Sequence, residues 1–284
     1  MHYKHLNNLF FIILLSSALV AISCNTTNTK KKNVTKVEWE KMSVEEIAAS
    51  IKAEKVSVKE VTEYFINRIK RLDKQRDLNS VIVINPDAIS IAEKLDREIA
   101  KGNYKGLLHG IPILIKDNID TKDKMPNTAG SILLKDNFPA QDAHIIKLLR
   151  ESGAVLLGKT NLSEWANFRS EKSSSGWSSV GGQTNNFHDQ KMTPCGSSSG
   201  SAVAAAAGFA PITIGTETNG SIACPASVNG VVGIKPTVGV WSRSGIIPIS
   251  HAQDTGGPMA KSVKDAASLL GPLSGVDVND EKSV

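Results

Sequence analysis

Two clusters of glycine and serine stand where a helix and a strand are predicted to meet a loop. The first, GSSSGS at 196–201, precedes a predicted helix, and the second, TNGS at 218–221, follows a predicted strand. Such turns present backbone N–H groups that few side chains block. They can therefore hold a phosphate or the oxyanion of an acyl-transfer intermediate. Because glycine and serine turns are common, each cluster alone is weak evidence for a site.

A lysine at the end of an apolar run could serve these hydroxyls as a base. Lys116 follows the run ILI at 113–115. Burial disfavours the charged ammonium, and a neutral amine can take a proton from a hydroxyl. The alternative is a lysine that reaches the surface or pairs with Asp117, and the neighbouring residues alone favour that alternative.

Short apolar strands that alternate with amphipathic helices surround these residues. Uninterrupted apolar strands are typical of a buried, parallel or mixed sheet with helices on its faces. The sequence therefore predicts an α/β fold with a mixed, largely buried β-sheet covered on both faces by helices. Helices are expected to start at Ser43, Ser57 and Pro86 and to span 143–149, 202–207 and 263–270, with strands at 81–84, 111–115, 154–157 and 212–214.

Five segments, in this order, resemble the amidase signature family. They are HGIPILIKDNIDT from His109, GAVLLGKTNLSEWAN from Gly153, CGSSSGSAVAAAAG from Cys195, GTETNGSIACPASVNGVVGIKPTVGVWSRSGIIP from Gly215 and DTGGPMAKSV from Asp254. Several long motifs in series make chance agreement very improbable. The resemblance implies a serine hydrolase that cleaves carboxylic amides and needs neither a metal nor another cofactor.

The resemblance also implies a role for individual residues. Lys116 would be the base, Ser197 the relay residue that follows a cis peptide bond, and Ser221 the nucleophile. Backbone N–H groups of the nucleophile turn would hold the oxyanion, and two neighbouring hydroxyl residues would support Ser197. These residues are Thr218, Asn219 and Gly220, together with Ser221 itself, for the oxyanion, and Ser198 and Thr216 for the support.

The stretch around Ser221 looks closer to bacterial peptide amidases than to the glutamine-hydrolysing subunit of the tRNA amidotransferase. That subunit commonly has an arginine after the Ser-Ile pair, where Ala223 and Cys224 stand here. Asn219 departs from the acidic residue associated with peptide amidases. The expected substrates are C-terminal peptide amides or small linear amides, with release of ammonia or an amine.

The first residues differ in character from the rest. Lys4 and an apolar run before Ser23-Cys24 predict a signal peptide over 1–23, with Cys24 resembling the lipidated residue of a bacterial lipoprotein. Residues 24–36 would then be a lipidated tether and 37–284 the amidase signature domain. This arrangement predicts an exported protein of the bacterial cell envelope, held at the membrane by its lipid anchor, although cleavage without lipidation also fits.

Charge and cysteine content narrow the classes of partner. The net charge of +5 is spread along the chain, so no nucleic acid partner is expected. Three cysteines give little support to a disulfide framework, and Cys195 and Cys224 are each expected to be small buried residues. The sequence indicates no particular oligomeric state.

Three alternatives remain open. Residues 153–160 match the phosphate-loop pattern of nucleotide hydrolases, although strand-like residues fill its interior. A Ser-His-Asp hydrolase could use His188 or His251, but the usual serine elbow is absent from the sequence. Because members of the resembling family continue beyond this region while the chain stops at Val284, a catalytically inactive, truncated protein with this fold is the third.

Overall fold

Two serine-capped helices open the part of the chain that the computed structural model describes, residues 37–284. The Ser43 hydroxyl accepts the Glu46 N–H, and the Glu46 carboxylate accepts the Ser43 N–H at 2.8 Å. Ser57 and Glu60 form the same reciprocal pair. Each pair satisfies two backbone donors at a helix start. Both predicted starts are confirmed.

The chain then alternates strands with helices, as predicted. The α-helices are α1 (Val44–Lys52), α2 (Val58–Gln75), α3 (Ala88–Ala100), α4 (His144–Glu151), α5 (Ser199–Ala207), α6 (Ala223–Val228) and α7 (Val263–Ala267). The strands are β1 (Val81–Ile84), β2 (Pro112–Lys116), β3 (Val155–Thr160), β4 (Trp177–Ser178), β5 (Gly182–Gln183), β6 (Ile212–Glu217), β7 (Val232–Gly233) and β8 (Thr255–Ala260). Short 3-10 helices lie at Trp39–Lys41, Ile132–Leu134 and Glu164–Asn167.

Six of these strands form one sheet in the order β1-β3-β2-β6-β8-β7. Strand β2 is parallel to both β3 and β6, whereas β1 is antiparallel to β3, and β8 is antiparallel to β6 and β7. Strands β2, β3, β6 and β8 are buried along their whole length. The predicted α/β fold, a mixed and largely buried sheet flanked by helices, is confirmed.

The parallel strands bring their carboxyl ends to one edge of the sheet. Lys116 ends β2, Thr160 ends β3 and Glu217 ends β6. The crevice outside the carboxyl ends of parallel strands is the usual place for a ligand in such sheets. Sheet topology therefore gathers side chains from distant parts of the sequence at one location.

Helix α5 packs against the centre of this sheet and consists of small residues, SGSAVAAAA. Eight of its nine residues are buried, and it contacts β2, β3, β6 and β8. It begins at Ser199, inside the glycine and serine cluster, rather than at residue 202 as predicted. Small side chains let the helix approach the sheet closely enough to bury nearly its whole circumference.

Strand β8, TGGPMA, was not predicted, because glycine and proline are poor strand residues. It nevertheless pairs with β6 along six residues, from Ile212 opposite Ala260 to Glu217 opposite Thr255. Long-range pairing with an apolar neighbour overrides the low local propensity. The strand places Asp254, the residue before it, beside the end of β6.

No helix within residues 37–284 combines the length and apolar character needed to cross a bilayer. The predicted signal peptide, the tether and the lipidated Cys24 lie outside the described residues. From Glu38 onwards the chain forms one compact unit.

Candidate active site

The side chain of Lys116 is fully buried and lies among three oxygens. Its Nζ atom is 2.6 Å from Ser197 Oγ, 2.9 Å from Thr216 Oγ1 and 3.3 Å from the Thr216 carbonyl oxygen. Strand β2 supplies the lysine, and its parallel neighbour β6 supplies the threonine. The structure therefore brings together three of the residues that the sequence singled out.

Burial decides the protonation of this lysine. Desolvation lowers the pKa of Lys116 from 10.5 to about 7, while the negative charges of Asp254 and Glu217 oppose that shift. The three surrounding oxygens match the three N–H groups of an ammonium, and loss of one proton leaves a lone pair that can face Ser197. Near neutral pH, therefore, Lys116 can both take and return a proton.

The segment that carries Ser197 is tied to β6 by its neighbour. The Gly196–Ser197 peptide bond is cis, as the resemblance implied. Ser198 Oγ donates to the Thr216 carbonyl at 2.9 Å and accepts the Thr216 N–H at 3.1 Å. Ser198 and Thr216 thus hold Ser197 and Lys116 in register, the supporting positions that the sequence indicated.

Ser221 lies on the adjoining turn. Its carbonyl oxygen accepts the Ser198 N–H at 3.1 Å, which joins the two serine segments directly. Its hydroxyl has no hydrogen-bond partner within residues 37–284, and the residue is 9% exposed. A hydroxyl that is buried to this degree but not engaged by another protein group is available to a ligand.

A buried carboxylate shapes the Ser221 turn and was not foreseen from the sequence. Glu217 accepts the N–H groups of Gly220 at 2.8 Å, Ile222 at 2.7 Å and Ala223 at 2.9 Å. The Gly220 N–H is therefore engaged, whereas the Asn219 and Ser221 N–H groups have no acceptor among the described residues. Gly220 has a φ of 77°, a conformation that glycine adopts readily. An oxyanion role for Thr218, Asn219 and Ser221 stays a prediction.

Asp254 connects this turn to a neighbouring loop. It accepts a hydrogen bond from the Thr218 hydroxyl at 2.5 Å and from the N–H groups of Ile249 and Ser250 at 2.7 and 2.9 Å. Thr218 therefore uses its side chain structurally. Asp254 also contributes negative charge near Lys116.

Asn118 is a second polar residue that the sequence analysis passed over. It is buried, and its Nδ2 atom donates to Thr216 Oγ1 at 3.0 Å. Thr216 Oγ1 thus joins Asn118 to Lys116. The sequence signal was its place two residues after the lysine, in the quoted IKDN segment.

The expectation for the two cysteines beside the site was wrong. Cys195 and Cys224 form a disulfide with their Cα atoms 5.9 Å apart, rather than being separate buried residues. Both are only partly buried. Three cysteines gave no disulfide pattern, and the pairing depends on the two serine segments meeting in the fold. Their positions close to Ser197 and Ser221 were the signal that could have revealed it.

The phosphate-loop alternative is wrong in structural terms. Residues 155–160 form strand β3 instead of a loop, and Lys159 is fully buried within it. Its Nζ donates to the Ile119 carbonyl at 2.9 Å and lies 3.9 Å from Asp117 Oδ1. Neither contact leaves the ammonium facing a phosphate site.

The two histidines considered for a Ser-His-Asp arrangement have other partners. The His188 ring contacts the Asn229 carbonyl at 3.0 Å, and the exposed His251 lies 3.7 Å from Glu281. Within residues 37–284, neither ring forms a hydrogen bond with a serine hydroxyl. The geometry favours the lysine over histidine as the base.

Comparison with known proteins agrees with this geometry. The family model described as Amidase matches residues 60–284. A probable amidase of Arabidopsis thaliana is 43% identical over 95% of this chain and 52% of its own length, and a glutamyl-tRNA(Gln) amidotransferase subunit of Alkaliphilus metalliredigens is 41% identical over 86% and 48%. The crystal structure of peptide amidase from Stenotrophomonas maltophilia is 50% identical, with a TM-score of 0.84, over 87% of this chain and 50% of that one.

The chain therefore spans about half the length of the curated relatives that it matches. The matched family segment covers most of the described residues and includes Lys116, Ser197 and Ser221. Family model, relatives and solved structures agree, and the chain belongs to the amidase family.

Proposed function

We propose that the protein hydrolyses linear carboxylic amides through Lys116, Ser197 and Ser221, with an acyl-enzyme intermediate. The observation that carries this proposal is the 2.6 Å contact between Lys116 Nζ and Ser197 Oγ inside a buried site. A buried amine with a pKa of about 7 is a base suited to neutral pH. No other pair in the described residues joins a buried amine to a hydroxyl beside a second, unengaged serine.

The reaction starts with proton transfer away from Ser221. As Ser221 Oγ attacks the amide carbonyl, its proton passes to Ser197 Oγ, and the Ser197 proton passes to neutral Lys116. The backbone N–H groups of Asn219 and Ser221 stabilise the oxyanion, and one such donor typically contributes about 3 kcal/mol.

Collapse of the intermediate reverses the proton flow. Ser197 gives its proton to the leaving nitrogen and is reprotonated by the Lys116 ammonium, so that ammonia or an amine departs. The C–N bond has then broken and the Ser221 ester has formed. Water attacks the ester along the same relay, which releases the carboxylic acid and restores the hydroxyl.

We further propose C-terminal peptide amides or small linear amides as substrates. The 50% identity to a peptide amidase structure supports this class. One of the relatives belongs to a glutamyl-tRNA(Gln) amidotransferase, so glutamine is the competing substrate to be compared directly.

The test is ammonia release from C-terminally amidated peptides, small amides and glutamine. The Ser221→Ala variant should lose activity by at least about 10⁴-fold. Ser227→Ala, on the exposed side of α6, is the matched control and should retain the wild-type rate. Equal activity of the Ser221→Ala variant and the wild type would contradict the proposal.

A fluorophosphonate provides an independent readout, because it phosphonylates an activated serine. Mass spectrometry should locate the adduct on Ser221. An adduct on another serine would move the nucleophile, and absence of both labelling and hydrolysis would favour the inactive-scaffold alternative.

A further inference from the structure

One covalent bond joins the two turns that carry Ser197 and Ser221. Cys195 stands two residues before Ser197, and Cys224 stands three residues after Ser221. Their side chains form a disulfide across 29 positions of sequence. Each cysteine therefore anchors the turn of the serine beside it.

Noncovalent contacts hold the same two segments together less directly. The buried Asn229 side chain donates to the Pro194 carbonyl at 3.1 Å and to the Pro225 carbonyl at 2.9 Å. The Ser198 N–H donates to the Ser221 carbonyl at 3.1 Å. These contacts do not depend on the disulfide, so the segments remain adjacent when it is broken.

We propose that the Cys195–Cys224 disulfide positions the Ser221 turn against Ser197, and that its reduction by a dithiol lowers the catalytic rate without unfolding the protein. This inference rests on the function proposed above. Ser221 must hand its proton to Ser197 over a hydrogen-bond distance, and a displacement of about 1 Å at a reacting group can cost a factor of 10² in rate. The cysteines are positioning residues, since they act through the serines.

The chemistry is ordinary thiol–disulfide exchange. A thiolate of the dithiol attacks one sulfur and forms a mixed disulfide, and its second thiol then closes a cyclic disulfide and releases the other protein sulfur. Two electrons and two protons pass to the protein, which ends with two thiols. Partial exposure of both cysteines gives the reductant access.

The bond also relates activity to compartment. Disulfides persist in secreted and periplasmic surroundings and are reduced in most cytosols. An exported enzyme would keep the bond, whereas the same chain retained in the cytosol would have loosely held catalytic turns. The predicted leader at 1–23 is consistent with the oxidised form.

The test uses the oxidised protein before and after treatment with dithiothreitol, with a Cys195→Ala/Cys224→Ala variant as control. Reduction should lower kcat at least about tenfold while KM stays within about twofold. Reoxidation should restore the rate. The double variant should have the low rate from the start and should not respond to dithiothreitol, which excludes an effect at Cys24.

Hydrogen exchange gives a readout that does not need activity. Reduction should accelerate amide exchange in residues 218–224 at least about tenfold, while exchange in α1 and α2 stays unchanged. Unchanged exchange in 218–224 after complete reduction would overturn the inference, whatever the activity. An oxidised protein that shows this local response but hydrolyses no amide would contradict the proposed function alone.

Discussion

Glu217 Oε1 accepts the Gly220 N–H at 2.8 Å, so a carboxylate from the end of β6 closes the turn that carries Ser221. Its other oxygen accepts two further N–H groups, those of Ile222 and Ala223. One buried side chain therefore fixes the nucleophile turn from behind. The same carboxylate supplies negative charge near Lys116.

Replacing Glu217 by Gln should move the acid limb of the pH–rate profile to lower pH. The Glu217 charge favours the Lys116 ammonium, and its removal lowers the pKa of Lys116 further. Since the base works as the neutral amine, activity then persists at more acidic pH. Asp254→Asn should shift the limb in the same direction, and Glu93→Gln on α3 should not. Loss of the charged acceptor should also cost roughly 1–3 kcal/mol of stability. A shift to higher pH in Glu217→Gln would contradict this electrostatic account.

Lys116→Met should abolish activity and stabilise the fold. We expect a rate loss of about 10²–10⁴-fold, the usual contribution of a general base. The folded-state pKa of about 7 lies below the ordinary 10.5, so the folded protein binds fewer protons than the unfolded chain between these values. The wild type therefore gains stability as pH rises through that window, and below it the full cost of burying the ammonium remains.

The gain in the Lys116→Met variant should accordingly be largest at pH 6.5, at roughly 0.5–2 kcal/mol, and smaller at pH 9.5. Urea unfolding at both values measures it, with the exposed Lys147→Met as control. A Lys116→Met protein that is less stable than the wild type at pH 6.5 would show that the ammonium is well solvated or paired.

Ser197→Ala and Ser198→Ala should separate relay from support. Ser197 contacts Lys116 Nζ, so its loss should lower kcat by at least about 10²-fold with little change in stability. Ser198 bonds the backbone of Thr216, so its loss should cost about 1–3 kcal/mol of stability and less activity. Steady-state kinetics and thermal unfolding of both variants decide this. A reversed pattern would exchange the two roles.

Lys159→Met should destabilise the protein by about 3–5 kcal/mol, because it leaves the buried Asp117 without its counter-charge. Burial already raises the pKa of Asp117 to about 6, and Lys159 opposes that shift. The folded variant should then hold a proton that the unfolded chain loses, so its deficit should be smaller at pH 5 than at pH 8.

Adding Asp117→Asn to Lys159→Met should recover most of the lost stability. Denaturant unfolding of the two single variants and the double variant forms a double-mutant cycle. Additive losses would show that the pair does not interact across its 3.9 Å separation.

The sequence predicted the residues of the relay but not the residues around them. Lys116, Ser197 and Ser221 stand in recognisable segments, and strand and helix periodicity predicted the sheet that gathers them. Asp254 lies 36 positions from its partner Thr218, and no local pattern reports such a contact. Asp254 precedes β8, a strand whose glycines and proline give no propensity signal, so its place depended on pairing with β6.

The disulfide was missed for a related reason. Cysteines without a recognisable pairing pattern are most often small buried residues. The pairing of Cys195 with Cys224 follows only when the two serine turns are known to touch. Proximity in the fold, which neither segment encodes alone, created the bond.

Helix α5 restricts how far this protein can be altered by engineering. A methyl group added at Gly200 would lie 2.4 Å from both the Ser80 and Asn161 carbonyl oxygens, closer than any side chain tolerates. Enlarging its alanines would likewise push the helix from the sheet and carry Ser197 away from Lys116. Libraries that seek new amide preferences should therefore spare this helix and vary exposed loop positions such as Ile249 instead.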